Sequence, residues 1–333
     1  MSNNLRLGVE LPGEDLLRAI VEGNHLVTRY LKQINPAYLY IGGERSTTLK
    51  GVSPNPGIVA GWLSRKLTQT GFVMAASFQR DHPFNIARRV ASFDHISQGR
   101  TGVAISAQDP AQALGFNAQS SWTTAPLDAH AVADGMLAIR KLWRTWPRET
   151  LSADPATSAQ AVVRYAHHQG VFPTSGPLNS PTTLQGEPLL FWRVPTSPYR
   201  EEQRQCVAEA DAVIVDFSDL ETFTHWATPQ LDAARQNGEP IQLHVRLPLN
   251  ALKQDNLNLL DQHPDVTALV IYAISDALPD LVDHMLTIPR LRALTRYSAS
   301  ASSLREVLGI TRHAEPNLQD NAPAFSAKNP EPA

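Results

Sequence analysis

The sequence predicts a (β/α)8 TIM barrel, and two observations carry that expectation. Eight short runs of β-branched and aliphatic residues recur along the chain, and the stretches between them carry helical rather than alternating spacing. Runs that are apolar on both faces suit parallel strands covered by helices, and eight such units close naturally into a barrel. The first strand is expected at Leu5–Leu11, with helical spacing over Leu16–Ile34 behind it. The second is expected at Tyr38–Gly42, followed by a helix within Pro56–Gln69, and the third at Gly71–Phe78. The helix after it places Ile86, Val90, Phe93 and Ile96 on one face at steps of four, three and three, with Pro83 in its first turn and Gly99 at its end. The remaining strands are expected at Thr101–Ser106, Leu189–Val194, Ala212–Phe217, Ile241–Leu247 and Val266–Ala273.

Residues 1–315 read as a single barrel domain. The interval from Pro147 to Pro188, rich in Ser, Thr, Pro and Gln, is expected to form an excursion over the barrel mouth, where long loops often carry function. Residues 316–333, rich in Pro and Ala, read as a flexible tail. A chain of 333 residues with 42% hydrophobic content has material for one large core. Its formal charge of -3 leaves no electrostatic footprint for nucleic acid, and no run of Lys or Arg marks a membrane surface. No apolar run approaches the ~20 residues that crossing a bilayer requires, and the polar start lacks a signal-peptide core, so a cytoplasmic protein is expected. The single cysteine, Cys206, excludes an internal disulfide and a cysteine metal cluster; beside Val207 and Ala210 it reads as a buried structural thiol.

Three segments resemble one enzyme family. Asp81 to Gly102 reads DHPFNIARRVASFDHISQGRTG, and is similar to the Pro-Tyr-Asn-Leu-Ala-Arg-Arg-Phe-Ala-Ser-Leu-Asp-His-Leu-Ser-Gly-Gly-Arg segment of luciferase-like flavin enzymes, in their nitrilotriacetate and dibenzothiophene-sulfone monooxygenase branch. Gly176 to Leu190, GPLNSPTTLQGEPLL, and the closing IPRLRALTRYSASASSLREVLGI from Ile288 repeat the resemblance in the same order. It implies the same barrel fold. Family members carry a long segment between the seventh and eighth strands, whereas here Leu249 leads through 251–263 to Asp265, a shortening that should leave the mouth more open. Oxygenase chemistry on a flavin needs shielding from water, so that loss counts against efficiency.

The resemblance also implies FMN at the carboxyl ends of the strands, with its phosphate held by a serine pair after the fifth strand. Thr196 and Ser197 stand there, able to donate hydroxyls and backbone N–H groups; alternatively Thr196, Ser197 and Pro198 cap a helix starting near Tyr199. Ser77 matches a hydroxyl position beside the flavin ring, or simply closes its strand. Gly43 stands near a position that is often acidic in the family, and Val103-Ala104 replaces a Trp-Asn pair, so Gly43 and Ala104 are expected to contribute backbone approach only. An expected Arg-Tyr pair is replaced by Asp128-Ala129. His167-His168 reads as a solvent-facing loop pair, His82 and His95 as packing or helix-end residues, and Arg88-Arg89 as barrel exterior. No phosphate loop, dinucleotide fingerprint or nucleophile elbow occurs.

The expectation is therefore an FMN-dependent monooxygenase, the oxygenase component of a two-component system. Reduced FMN would come from a separate NAD(P)H-dependent flavin reductase, and O2 would be used to oxidise a small organic substrate. A homodimer with no nucleic-acid, membrane or metal partner is expected, and no catalytic residue is named. The alternative is a degenerate barrel without catalysis, kept as a binding or partner subunit.

Overall fold

Strands form where the apolar runs lie: β1 Arg6–Leu11, β2 Tyr38–Ile41, β3 Gly71–Ser77, β4 Thr101–Ser106, β5 Leu189–Arg193, β6 Ala212–Asp216, β7 Gln242–Pro248 and β8 Val266–Tyr272. In the computed structural model all pairings are parallel and follow chain order, and β8 pairs back with β1 through Arg6↔Ala268 to Glu10↔Tyr272, so the barrel is closed. The structure describes residues 5–23, 25–42, 54–107, 109, 122–260, 262, 263, 265–294, 303–310 and 318–325.

Alternation along each strand divides the apolar residues into two sets. Leu7, Val9, Leu39, Phe72, Val103, Val213 and Leu269 face outward and join the helices in the main core, while Tyr38, Val73, Ala104, Phe191, Ile214 and Val270 fill the bore. Tyr38 takes the centre of that bore, with Phe191 at 5.8 Å and His244 at 5.6 Å between ring centroids. A Cβ on Gly8 would lie 2.9 Å from the Tyr38 ring, so a glycine on β1 makes the room. The Tyr38 hydroxyl lies 2.8 Å from His244 Nδ1, and His244 Nε2 lies 3.1 Å from Gln242 Oε1. Because the Gln242 amide nitrogen donates to Leu308 O at 2.7 Å, its oxygen faces the imidazole, Nε2 donates, and Nδ1 accepts from Tyr38.

The helical spacing over Leu16–Ile34 produces two helices, α1 Gly13–Val21 and α2 His25–Ile34. Gly23, at φ +65, turns the chain between them. Then come α3 Pro56–Ser64, α4 Pro83–Ser97, α5 Ala129–Trp143, α6 Pro155–Gln160, α7 Arg204–Glu209, α8 Leu220–Gln236, α9 Gln254–Leu260, α10 Leu278–Thr287, α11 Pro289–Ala293 and α12 Leu304–Leu308. In α4, Pro83 stands in the first turn, His82 Nδ1 accepts from Phe84 N at 3.1 Å, and Gln98 closes the helix in the left-handed region before Gly99. Ile86, Val90 and Phe93 are buried, but Ile96 is 58% exposed. At about 100° per residue the four, three, three spacing carries Ile96 roughly 80° round from Ile86 and off the packed face.

The amino-terminal end of the barrel is closed by α12. Leu304, Val307 and Leu308 belong to the same cluster as the bore, and Arg6 Nε donates to Val307 O at 3.0 Å. Beside it a buried ion-pair network links Arg305 to Asp211 at 3.2 Å, Asp211 to Arg140 of α5 at 3.3 Å and Arg140 to Glu187 at 2.8 Å, with Arg144 also on Glu187.

The described residues of 147–188 pack against α4 and α5, through Gln185 on Asp94, His168 on Asp134 and Glu187 on Arg140, and none of them lines the mouth cavity described below. Phe172 packs on Phe78 at 5.0 Å, and Gln185 Nε2 donates to Asp94 Oδ1 at 2.6 Å and Thr101 O at 2.8 Å, at the far end of the barrel. His168 is not solvent-facing. It is buried with Nε2 3.0 Å from Asp134 Oδ1, and the Phe172 N–H donates to the same carboxylate at 3.0 Å. In the tail, residues 318–325 depart from the expected loose chain: Ala324 N donates to Val163 O at 2.8 Å and Asn321 Nδ2 to Tyr165 O at 2.8 Å. No described helix is long and apolar enough to cross a membrane.

Candidate active site

The carboxyl ends of the strands surround a cavity of 1280 Å³. Its described lining is one-sided. Most of it comes from the β2–β5 half of the barrel, through Tyr40, Ala75, Ser77, Ser106 and Trp192 and the loops that follow, while β6 and β7 supply only Asp216 and Arg246. No described residue of 249–265, the short β7–β8 connection, is in the wall.

Strand alternation sends four charged side chains inward just beneath this space. Arg246 on β7 donates from Nε to Glu10 Oε2 of β1 at 2.6 Å and from Nη1 to Asp216 Oδ1 of β6 at 3.1 Å. Arg193 on β5 donates from Nη2 to both Asp216 oxygens, at 2.9 and 2.8 Å. The result is a chain of alternating charge, Glu10, Arg246, Asp216, Arg193, that sums to zero. The Arg246 guanidinium carbon also lies 4.5 Å from the Tyr272 ring centroid. Burial alone would raise the Asp216 carboxyl, but Arg193 and then Arg246 outweigh it and hold it below the usual carboxylate range. Asp216 therefore stays ionised at neutral pH and is no proton donor. The floor is strongly polar without carrying net charge.

Two more ion pairs stand in the wall, Arg80 with Asp109 at 3.0 Å and Arg89 with Asp81. Arg89, in the second turn of α4, is thus part of the mouth rather than the barrel exterior. Arg200 is different: it lines the cavity, is exposed, and has no carboxylate partner among the described residues. Cys206 is also in the wall, but its thiol donates to Ala129 O at 3.2 Å and burial pushes it up to about 12, so it keeps its proton.

Of the residues singled out from the sequence, Ser77 and Thr196 line the cavity. Ala104 does not: its Cβ is enclosed in the bore one layer below, 1% exposed among Val73, Phe191 and Ile214. Ser197 is turned away, its hydroxyl donating to Asp219 Oδ1 at 3.1 Å. It caps no helix either; the next helical turn begins at Glu201, where Gln203 Oε1 accepts from Arg200 N at 2.7 Å. Gly43 lies outside the described residues. Asp128 caps α5, its Oδ1 accepting from Ala131 N at 3.0 Å, and borders the cavity. The floor charges were not anticipated, although the sequence carries a signal for them: each is the charged residue at or near the carboxyl end of an otherwise apolar run, in GVEL, LLFWR, AVIVD and HVRL.

A closed parallel barrel with its cavity at the strand carboxyl ends is the general architecture of (β/α)8 enzymes. Comparison with known proteins points the same way. No family model matches the chain. The N-acetyl-S-(2-succino)cysteine monooxygenase of Bacillus subtilis (strain 168) is 27% identical over 39% of this chain and 30% of its own length. The dibenzothiophene-sulfone monooxygenase of Rhodococcus erythropolis is 30% identical over 45% of the chain and 33% of its own. The matches thus span about a third of these relatives. Among solved structures, EDTA monooxygenase from Chelativorans sp. BNC1 superposes with a TM-score of 0.68 at 16% identity, covering 92% of this chain and 98% of that one. Riboflavin lyase, solved with modified FMN and the substrate riboflavin, gives 0.67 at 18%, over 92% and 96%. At these identities the likeness is one of fold. Relatives and structural neighbours include luciferase-like monooxygenases, consistent with the branch that the Asp81–Gly102 segment resembles.

Proposed function

We propose that the chain is an FMN-dependent monooxygenase, the oxygenase component of a two-component system, using reduced FMN and O2 to oxidise a small organic substrate. The observation that carries this reading is the mouth cavity: at 1280 Å³ it exceeds the roughly 300–1,000 Å³ usual for a single small-molecule site, leaving room for a flavin with a substrate beside it. Its donor set suits a flavin. Tyr40, Ala75 and Trp192 offer apolar and aromatic surface for a ring, Ser77 and Ser106 stand at adjoining strand ends, and Thr196 offers a hydroxyl farther out where a phosphate would lie.

FMN, when bound in its reduced form, supplies the reactivity toward O2. The protein's residues bind, orient and keep water out. Arg193 and Arg246, already neutralised by Asp216 and Glu10, make a polar floor that needs no rearrangement when a ring covers it, which is how fixed dipoles help most. We further propose that residues 1–315 act as one domain, in a cytoplasmic homodimer supplied by an NAD(P)H-dependent flavin reductase.

The reading is tested by anaerobic titration with oxidised and reduced FMN, followed through tryptophan fluorescence. Saturable quenching that is largely lost in Trp192→Phe is the expected result, since Trp192 is in the wall. A folded protein that binds neither redox form is not a flavin monooxygenase, and the degenerate-barrel reading then stands.

A further inference from the structure

We propose that the phosphate of FMN is held at this mouth by the Arg200 guanidinium together with the Thr196 hydroxyl, and not by the Ser197 hydroxyl. The inference rests on the flavin reading above and adds a group that neither the sequence pattern nor the comparisons point to. Three observations support it.

First, the neighbouring serine is committed elsewhere. Ser197 Oγ donates to Asp219 at 3.1 Å and is not in the cavity wall, so turning it inward would both break that bond and bring a phosphate toward a carboxylate. Second, the other four arginines of the wall are each already matched: Arg80 with Asp109, Arg89 with Asp81, Arg193 with Asp216, and Arg246 with Glu10 and Asp216. Drawing Arg80, Arg89 or Arg246 onto a phosphate would strand a carboxylate that is at most 23% exposed, and drawing Arg193 would leave Asp216 to Arg246 alone, which is unfavourable. Arg200 has no carboxylate to give up among the described residues. Third, Arg200 and Thr196 lie four residues apart on the same post-β5 loop, and both line the cavity. A guanidinium presents a planar fork of donors that suits phosphate oxygens, and such charge-assisted bonds are about twice as strong as neutral ones.

The test compares FMN with riboflavin, which differs only in lacking the phosphate. Equilibrium binding of both is measured by flavin fluorescence for wild type, Arg200→Gln, Arg200→Lys and Ser197→Ala. The expected result is that wild type prefers FMN, that Arg200→Gln weakens FMN about tenfold or more while leaving riboflavin unchanged, and that Arg200→Lys falls between. Ser197→Ala should leave both ligands unchanged. An Arg200→Gln protein that keeps full FMN affinity, or loses FMN and riboflavin alike, overturns the assignment while leaving the flavin reading intact. Wild type that binds neither ligand overturns both.

Discussion

Inside the barrel His244 is fully enclosed, and burial pushes its imidazole down from 6.5 to about 3. The folded state therefore holds His244 neutral, donating to Gln242 and accepting from Tyr38, while the unfolded chain takes up a proton below about 6.5. Since the unfolded state binds the extra proton, this group contributes no pH dependence above about 6.5, and stability falls as pH drops from there toward about 3. The slope approaches roughly 1.4 kcal/mol per pH unit, or about 2 kcal/mol between pH 6.5 and 5. Denaturant unfolding of wild type and His244→Gln at both pH values checks this; the variant should lose less stability on acidification by about that amount, and parallel losses would contradict it. Placement was legible where a single strand position settles it, as for Ser77, which ends β3 and lines the mouth. Placement was not legible where it depends on partners far away in sequence. Ser197 answers to Asp219, and Arg193 to Asp216, neither of which local spacing reveals.

Elements were legible to the extent that burial alone shapes them. All eight strands appear within a residue or two of their apolar runs, because parallel strands covered on both faces show as continuous hydrophobic stretches. Helix detail was harder: Gly23 interrupts a periodicity that otherwise continues through it, and Ile96 keeps an apolar identity on the solvent side of α4. The role of α12 was invisible, since a five-residue helix carries little pattern, yet it seals one end of the bore. Leu304 is fully buried there, and a Cβ built on Gly71 would come within 2.5 Å of it. Leu304→Ala should therefore cost about 2–5 kcal/mol and lower the melting temperature, without changing the FMN-to-riboflavin preference at the opposite end of the barrel. A shift in that preference as large as the one expected for Arg200→Gln would mean that the two ends are coupled.

At the scale of the whole molecule the barrel is lopsided. Its amino-terminal end is plugged by α12 and braced by the Arg305–Asp211–Arg140–Glu187 network, while the carboxyl end opens into a cavity whose described wall belongs mainly to the β2–β5 half. The short β7–β8 connection accounts for part of that asymmetry, and was apparent from the sequence because it is a matter of length. The course of 147–188 was not, because a loop's composition says that it is irregular and not which face it covers. The central claim is that the open end is a flavin site, and a crystal structure of the protein soaked with FMN tests it most directly. The account predicts the ring over Tyr40, Ala75 and Trp192, above the Arg193–Asp216–Arg246 floor, with the phosphate against Thr196 and Arg200. Flavin bound elsewhere on the surface, with the mouth filled only by solvent, would contradict it.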